Sequence, residues 1–102
     1  MLELRPNCEM CDCDLPPEAP NARICSYECT FCAACADEVL CNVCPNCAGG
    51  FVPRPIRPAT ARRAGTSRLH QTPSDNRLHL KYDLENITQL VMATRDIPPA
   101  QR

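Results

Sequence analysis

Cys25-Ser-Tyr-Glu-Cys29-Thr-Phe-Cys32-Ala-Ala-Cys35 decides how this chain folds, because it brings four thiols into eleven residues. Upstream lies Cys8-Glu-Met-Cys11 and downstream Cys44-Pro-Asn-Cys47, so eight cysteines fall into four pairs, three of them spaced C-x2-C. A turn of that length aims two sulfurs at one cation, and its backbone N–H groups donate to them and spread their charge. Tetrahedral zinc takes four thiolates at about 2.3 Å, so four pairs imply two zinc ions. Cys13 and Cys41 stand outside the pairs. Cys11-Asp-Cys13 and Cys41-x2-Cys44 both keep them within ligand reach, so they read either as substitute ligands or as free thiols.

Thiols at this density could equally form disulfides, and iron also accepts four cysteines. Compartment weighs against disulfides. The opening Met-Leu-Glu-Leu-Arg-Pro-Asn-Cys has neither the basic start nor the apolar run of a secretory signal, so a cytoplasmic location, where thiols stay reduced, is expected. No stretch approaches the roughly 20 apolar residues of a membrane span. Zinc is therefore the expected cofactor, with iron as the lesser alternative.

A metal is needed on energetic grounds as well. The first half offers few large apolar side chains, mainly Leu2, Leu4, Leu15, Ile24, Tyr27, Phe31, Val39, Leu40, Phe51 and Val52, and the chain has no Trp. Ordering a backbone costs about 1–2 kcal/mol per residue, more than so few side chains can offset. Residues 1–52 thus read as a two-zinc, cysteine-rich domain.

Charge divides the chain. Residues 1–50 carry two arginines against eight carboxylates, net −6, whereas residues 51–102 carry nine Lys or Arg against four carboxylates, net +5. Two zinc ions on eight thiolates would take the first half to about −10. Residues 53–70, with Pro53, Pro55 and Pro58, read as an extended Pro/Arg-rich linker. Residues 71–102 read as a tail. Within it, Leu78, Leu80, Tyr82 and Leu84 alternate as in a strand, whereas Leu80, Leu84, Ile87 and Val91 follow a helical seam. An amphipathic helix over about 83–94, ending before Pro98 and Pro99, is the preferred reading.

The full spacing, C-x2-C-x13-C-x3-C-x2-C-x2-C-x8-C-x2-C, resembles a RING finger, with Cys29 where that family commonly has His and Cys44-Pro-Asn-Cys47 matching its C-P-x-C. That resemblance implies a small zinc-stabilised α+β fold, a treble-clef-type cross-brace with a short hairpin and one short helix, placing Cys8, Cys11, Cys32 and Cys35 on one zinc and Cys25, Cys29, Cys44 and Cys47 on the other. Sequential pairing is the alternative. The chain up to about residue 58 also resembles a family of short bacterial cysteine-rich proteins classed as a domain of unknown function. The resemblance rests on Met-Leu-Glu-Leu-Arg-Pro-Asn-Cys, Asp14-Leu-Pro-Pro, Ile24-Cys-Ser, Glu28-Cys-Thr-Phe-Cys and Cys44-Pro-Asn-Cys. It implies no activity.

These readings lead to a structural zinc-binding, protein-interaction (adaptor) module, with another protein as its expected partner. Four thiolates close the shell of each ion, so intrinsic catalysis is not expected. One alternative is a RING-type ubiquitin-ligase-like module, for which the resemblance implies a partner surface at Met10, Val39, Leu40 and Pro45; Ala48 lacks the basic character such modules carry after the last ligand. A further alternative is nucleic-acid binding, in which Arg54, Arg57, Arg62, Arg63 and Arg68 contact phosphates. His70 and His79 are expected to be solvent-exposed or packing residues.

Overall fold

Two short strands frame the central cysteines. A computed structural model describes the chain from Met1 to Arg102. Strands β1 (Ala22–Ile24) and β2 (Thr30–Cys32) pair antiparallel, with Ala22 opposite Cys32, Arg23 opposite Phe31 and Ile24 opposite Thr30. Residues with period two face alternate sides, so Ala22 and Ile24 are buried while Arg23 between them is only half-buried. The hairpin loop is Cys25–Cys29 itself. Its extra residue, relative to C-x2-C, is absorbed at Glu28, whose φ of 67° turns the chain back, and Glu28 N–H donates to the Cys25 carbonyl at 3.0 Å.

Strand β3 (Val52–Pro53) adds to the other edge of β1, giving a three-stranded sheet in the order β2-β1-β3. Pro53 is tolerated because β3 is an edge strand. After β2 the chain makes a π-helical turn over Cys35–Val39, closed by Leu40 N–H on the Cys35 carbonyl at 2.8 Å. The centre of the molecule holds Leu15, Phe31, Leu40 and Val43, and Phe31 meets Phe51 edge to face with ring centroids 5.3 Å apart. Six of the seventeen buried apolar residues are cysteines, so the interior is built around thiols as much as around hydrocarbon. All ten cysteines are unbridged.

Residues 53–70 are not a free linker. Arg54, 4% exposed, donates to the carbonyls of Arg5, Leu15 and Pro16 at 2.8, 3.2 and 2.9 Å. Arg57 donates to the Leu2 and Gln71 carbonyls, and Arg68 pairs with Glu18 at 2.6 Å. These long side chains find carbonyl and carboxylate acceptors on the cysteine-rich half, which is why the Pro-rich segment lies against it.

The tail is tied back in the same way. Ser74 N–H donates to the Leu4 carbonyl, Asn7 Nδ2 to the Leu78 carbonyl, and Arg77 bonds Asp12 and Asp14. Helix α1 (Leu84–Thr94) starts at Asp83, whose carboxylate caps it by accepting from Asn86 N–H at 2.8 Å. The segment read as a helix over about 83–94 is helical over those residues, and the Leu78–Tyr82 alternation forms no strand. Ile87 and Val91, one turn apart, are buried in the common core, while Leu84 and Met92 face solvent. No helix is long and apolar enough to cross a membrane.

Candidate metal centre

The sulfurs gather into two groups. Those of Cys8, Cys11, Cys13 and Cys32 lie within 4.8 Å of one another, as do those of Cys25, Cys44 and Cys47. The Cys35 sulfur is not in the first group, although its backbone N–H reaches Cys32 Sγ. The Cys29 sulfur is not in the second group. The first pair is thus gathered with Cys32 of the third, and the fourth pair with Cys25 of the second.

One distance identifies what such a group suits. The Cys11 and Cys32 sulfurs are 3.8 Å apart. A disulfide would bring them to about 2.05 Å, whereas four sulfurs placed at about 2.3 Å around a tetrahedral ion are about 3.8 Å from each other.

Backbone amides complete the pattern. Cys11 N–H donates to Cys8 Sγ and Cys35 N–H to Cys32 Sγ, both at 3.5 Å, while Tyr27 N–H donates to Cys25 Sγ at 3.3 Å and Gly49 N–H to Cys47 Sγ at 3.4 Å. Sulfur acceptors of this kind are held as thiolates more easily. The turns that create these contacts need left-handed residues, Asp12 at φ 63° after the first pair and Ala48 at φ 65° after the last. The first turn is closed by Asp12 N–H on the Cys8 carbonyl and Cys8 N–H on the Cys13 carbonyl, and an Asn7–Asp14 bridge locks its base.

The thiols divide their protons unequally. The neighbouring Cys29 and Cys44 thiols hold Cys25 down to about 3, and the Cys25 and Cys29 thiols push Cys44 well up. In the first group the Cys13 backbone amide brings Cys11 down to about 7. Cys13 is pushed up to about 12 by loss of hydration at its crowded sulfur and by the Cys11 thiol, and loss of hydration also raises Cys8 and Cys35. Each group therefore contains one sulfur ready to act as an anion beside others that must lose protons to a metal.

Other residues singled out in the sequence fall differently. Cys41, half-buried at φ 49°, belongs to neither thiol group and lines a groove with Met10, Val39 and the Ile87–Val91 face of α1. The surface expected at Met10, Val39, Leu40 and Pro45 is not an open one. Leu40 is 0% exposed, Pro45 is buried and Met10 is half-buried, and α1 forms the far wall of a groove along Met10 and Val39; Val39 alone is exposed. Of the five arginines, Arg54, Arg57 and Arg68 are occupied as described, and only Arg62 and Arg63 are exposed with no protein partner. His70 Nδ1 shares a hydrogen bond with Ser67 Oγ, His79 lies 3.8 Å from Asp12, and neither reaches a thiol group.

Glu9 and Asn7 matter here without having any sequence signal of their own. Glu9, inside the first C-x2-C turn, is 2% exposed and accepts from Arg5, Thr30 N–H and Asn46 Nδ2, linking the first turn to β2 and to the last one. Asn7, 0% exposed, donates to Asp12, Cys8 and Leu78. A Glu within a surface turn reads as solvated until its distant partners are known.

A family model described as a protein of unknown function, DUF1272, matches residues 1–57. An uncharacterized protein of Rhizobium meliloti (strain 1021) is 56% identical over 72 residues, covering 68% of this chain and 86% of that protein. No solved structure matches the chain. The resemblance to a bacterial domain of unknown function drawn from the cysteine pairs and the opening octapeptide is therefore borne out.

Proposed function

Because the chain belongs to the DUF1272 family, whose description carries no activity, its role has to be argued from the site, and we propose a structural two-zinc module for protein interaction. Cys8, Cys11, Cys32 and Cys35 hold one ion and Cys25, Cys29, Cys44 and Cys47 the other, in a RING-like, treble-clef-type cross-brace. The observation that carries this reading is the gathering of the first pair with Cys32 and of the fourth pair with Cys25, with Cys11 and Cys32 sulfurs separated by a tetrahedral edge. An all-thiol donor set suits zinc or iron. Zinc is the one proposed, since the ion's task here is to supply folding free energy to a domain with a small core.

Adaptor function is supported by what surrounds the second site. Tyr27 in the hairpin loop is 72% exposed and Val52 on the sheet edge 59% exposed, and together with Leu2 they flank a shallow apolar groove. Closed thiolate shells leave no position for a reacting water. The cytoplasm, where thiols stay reduced, is the location that goes with this reading. The ligase alternative draws less support, because Leu40 and Pro45 are buried. Nucleic-acid binding draws less as well, because three of five arginines are engaged within the fold.

Elemental analysis with native mass spectrometry tests the metal half. Two zinc ions should remain bound in Cys13→Ser/Cys41→Ser, and retention of only one removes the eight-ligand assignment. For the interaction half, a defined protein that co-purifies with the chain should be lost on Tyr27→Ser/Val52→Ser at unchanged metal content.

A further inference from the structure

The first thiol group is completed by Cys13, a sulfur that stands outside the four cysteine pairs. Cys13 is among the four that lie within 4.8 Å of one another, whereas Cys35, which shares a C-x2-C turn with Cys32, is not. Cys13 is also held in place rather than dangling. Its carbonyl accepts from Cys8 N–H at 2.9 Å, and the residues on either side of it, Asp12 and Asp14, are clamped by the Arg77 guanidinium at 2.9 and 2.8 Å.

Exposure separates the two groups. Cys11 and Cys13 face solvent while Cys8 and Cys32 are buried; in the second group Cys25 and Cys44 are buried and Cys47 is half-buried. An ion held by Cys8, Cys11, Cys13 and Cys32 would have two of its four ligands at the surface.

Resting on the two-zinc reading, we infer that Cys13 and Cys35 are alternative fourth ligands of the first site, which makes that site a zinc-exchange site delivering its ion to an external thiol or nitrogen acceptor. In the exchange one zinc–sulfur bond forms at Cys13 as the one at Cys35 breaks; Cys13 releases its proton to water and Cys35 takes one up. Nothing is oxidised or reduced. An incoming acceptor then replaces Cys13 or Cys11 at the solvent side while the buried Cys8 and Cys32 hold the ion until last. The second site, without a spare thiol in its group, keeps its ion and the fold.

The test uses the full-length protein loaded with zinc, counted by native mass spectrometry, with release to a chromogenic chelator followed in time. The wild type should hold two ions and release them in two phases; fewer than two ions would remove the two-zinc reading itself. Given two ions, Cys13→Ser should keep both and slow the faster phase by about tenfold or more. Cys35→Ser should also keep both, and Cys13→Ser/Cys35→Ser should keep one. The inference is overturned if Cys13→Ser releases zinc at the wild-type rate, if Cys35→Ser holds a single ion, or if the double variant still holds two. Alkylation gives a second readout. Cys13 should react with iodoacetamide about tenfold more slowly in Cys35→Ser than in wild type, since a committed ligand is a poorer nucleophile, and equal rates would overturn the exchange.

Discussion

Glu9 and Thr30 hold each other twice: Glu9 N–H donates to the Thr30 carbonyl at 2.9 Å, and Thr30 N–H donates to Glu9 Oε2 at 2.6 Å. The same carboxylate accepts from Arg5 at 3.1 Å and from Asn46 at 3.3 Å, so one buried anion joins the first cysteine turn, β2 and the last cysteine turn. Removing it would strand Arg5 and a buried amide together. Glu9→Ala should therefore cost about 3–5 kcal/mol, the usual range for breaking a buried ion pair from one side. Urea denaturation of the metal-loaded protein measures this, and a cost under 1 kcal/mol would show that the carboxylate is not the strut.

Metal affinity should rise with pH. In the metal-free protein Cys44, Cys35 and Cys8 are pushed up and stay protonated at neutral pH, so each must give up a proton when the ion enters. Cys25, held at about 3, is already a thiolate and contributes none. Binding thus releases protons, and lowering the pH opposes it. Calorimetry in buffers of different ionisation enthalpy should count that release, and chelator competition should show affinity falling steadily from pH 8 to about pH 6. Complete removal of metal should abolish the fold of residues 1–57, seen as collapse of amide dispersion.

The linker arginines should behave unequally. Arg54→Ala leaves the carbonyls of Arg5, Leu15 and Pro16 without their donor and should cost about 3 kcal/mol or more. Arg62→Ala and Arg63→Ala, both exposed, should stay within about 0.5 kcal/mol. Thermal melts of the three variants side by side are sufficient. Similar melting points would mean that the Arg54 contacts carry no stability.

Helix α1 should undock without loss of the metal knot. Ile87→Ala empties a side chain 3% exposed and should weaken docking by about 2–4 kcal/mol, while Asp83→Ala removes the cap and costs about 1 kcal/mol. Amide hydrogen exchange should speed up over Leu84–Thr94 in both variants and stay slow over β1 and β2.

Ala48 has φ of 65°, a conformation that strains a residue with a Cβ. Ala48→Gly should raise stability by about 0.5–1 kcal/mol, at unchanged metal stoichiometry.

Much of the site could be read from local spacing. C-x2-C places two sulfurs on one short turn whatever surrounds it, so the existence of paired thiols with amide-bonded sulfurs was legible at Cys8–Cys11, Cys32–Cys35 and Cys44–Cys47. The helix over Leu84–Thr94 was legible for a similar reason: Asp83 caps it, Ile87 and Val91 form a seam, and Pro98 and Pro99 bar its extension. The arginines were not legible in this way. A Pro/Arg-rich stretch has the composition of a solvated linker, and nothing nearby shows that the carbonyls of Leu2, Leu15 and Pro16 wait on another part of the chain for Arg54 and Arg57.

By itself, then, the sequence determined that the first half is organised around paired thiols rather than a hydrocarbon core, because pairing is a property of four or five consecutive residues. Only the tertiary structure decided which sulfurs gather, that Cys13 joins a group while Cys41 does not, and that α1 lies beside Met10 and Val39. Those depend on the return of the chain from β2, on the Arg77 clamp at Asp12 and Asp14, and on where Ile87 and Val91 dock. Each is a contact between residues far apart in the chain, and no spacing rule encodes it.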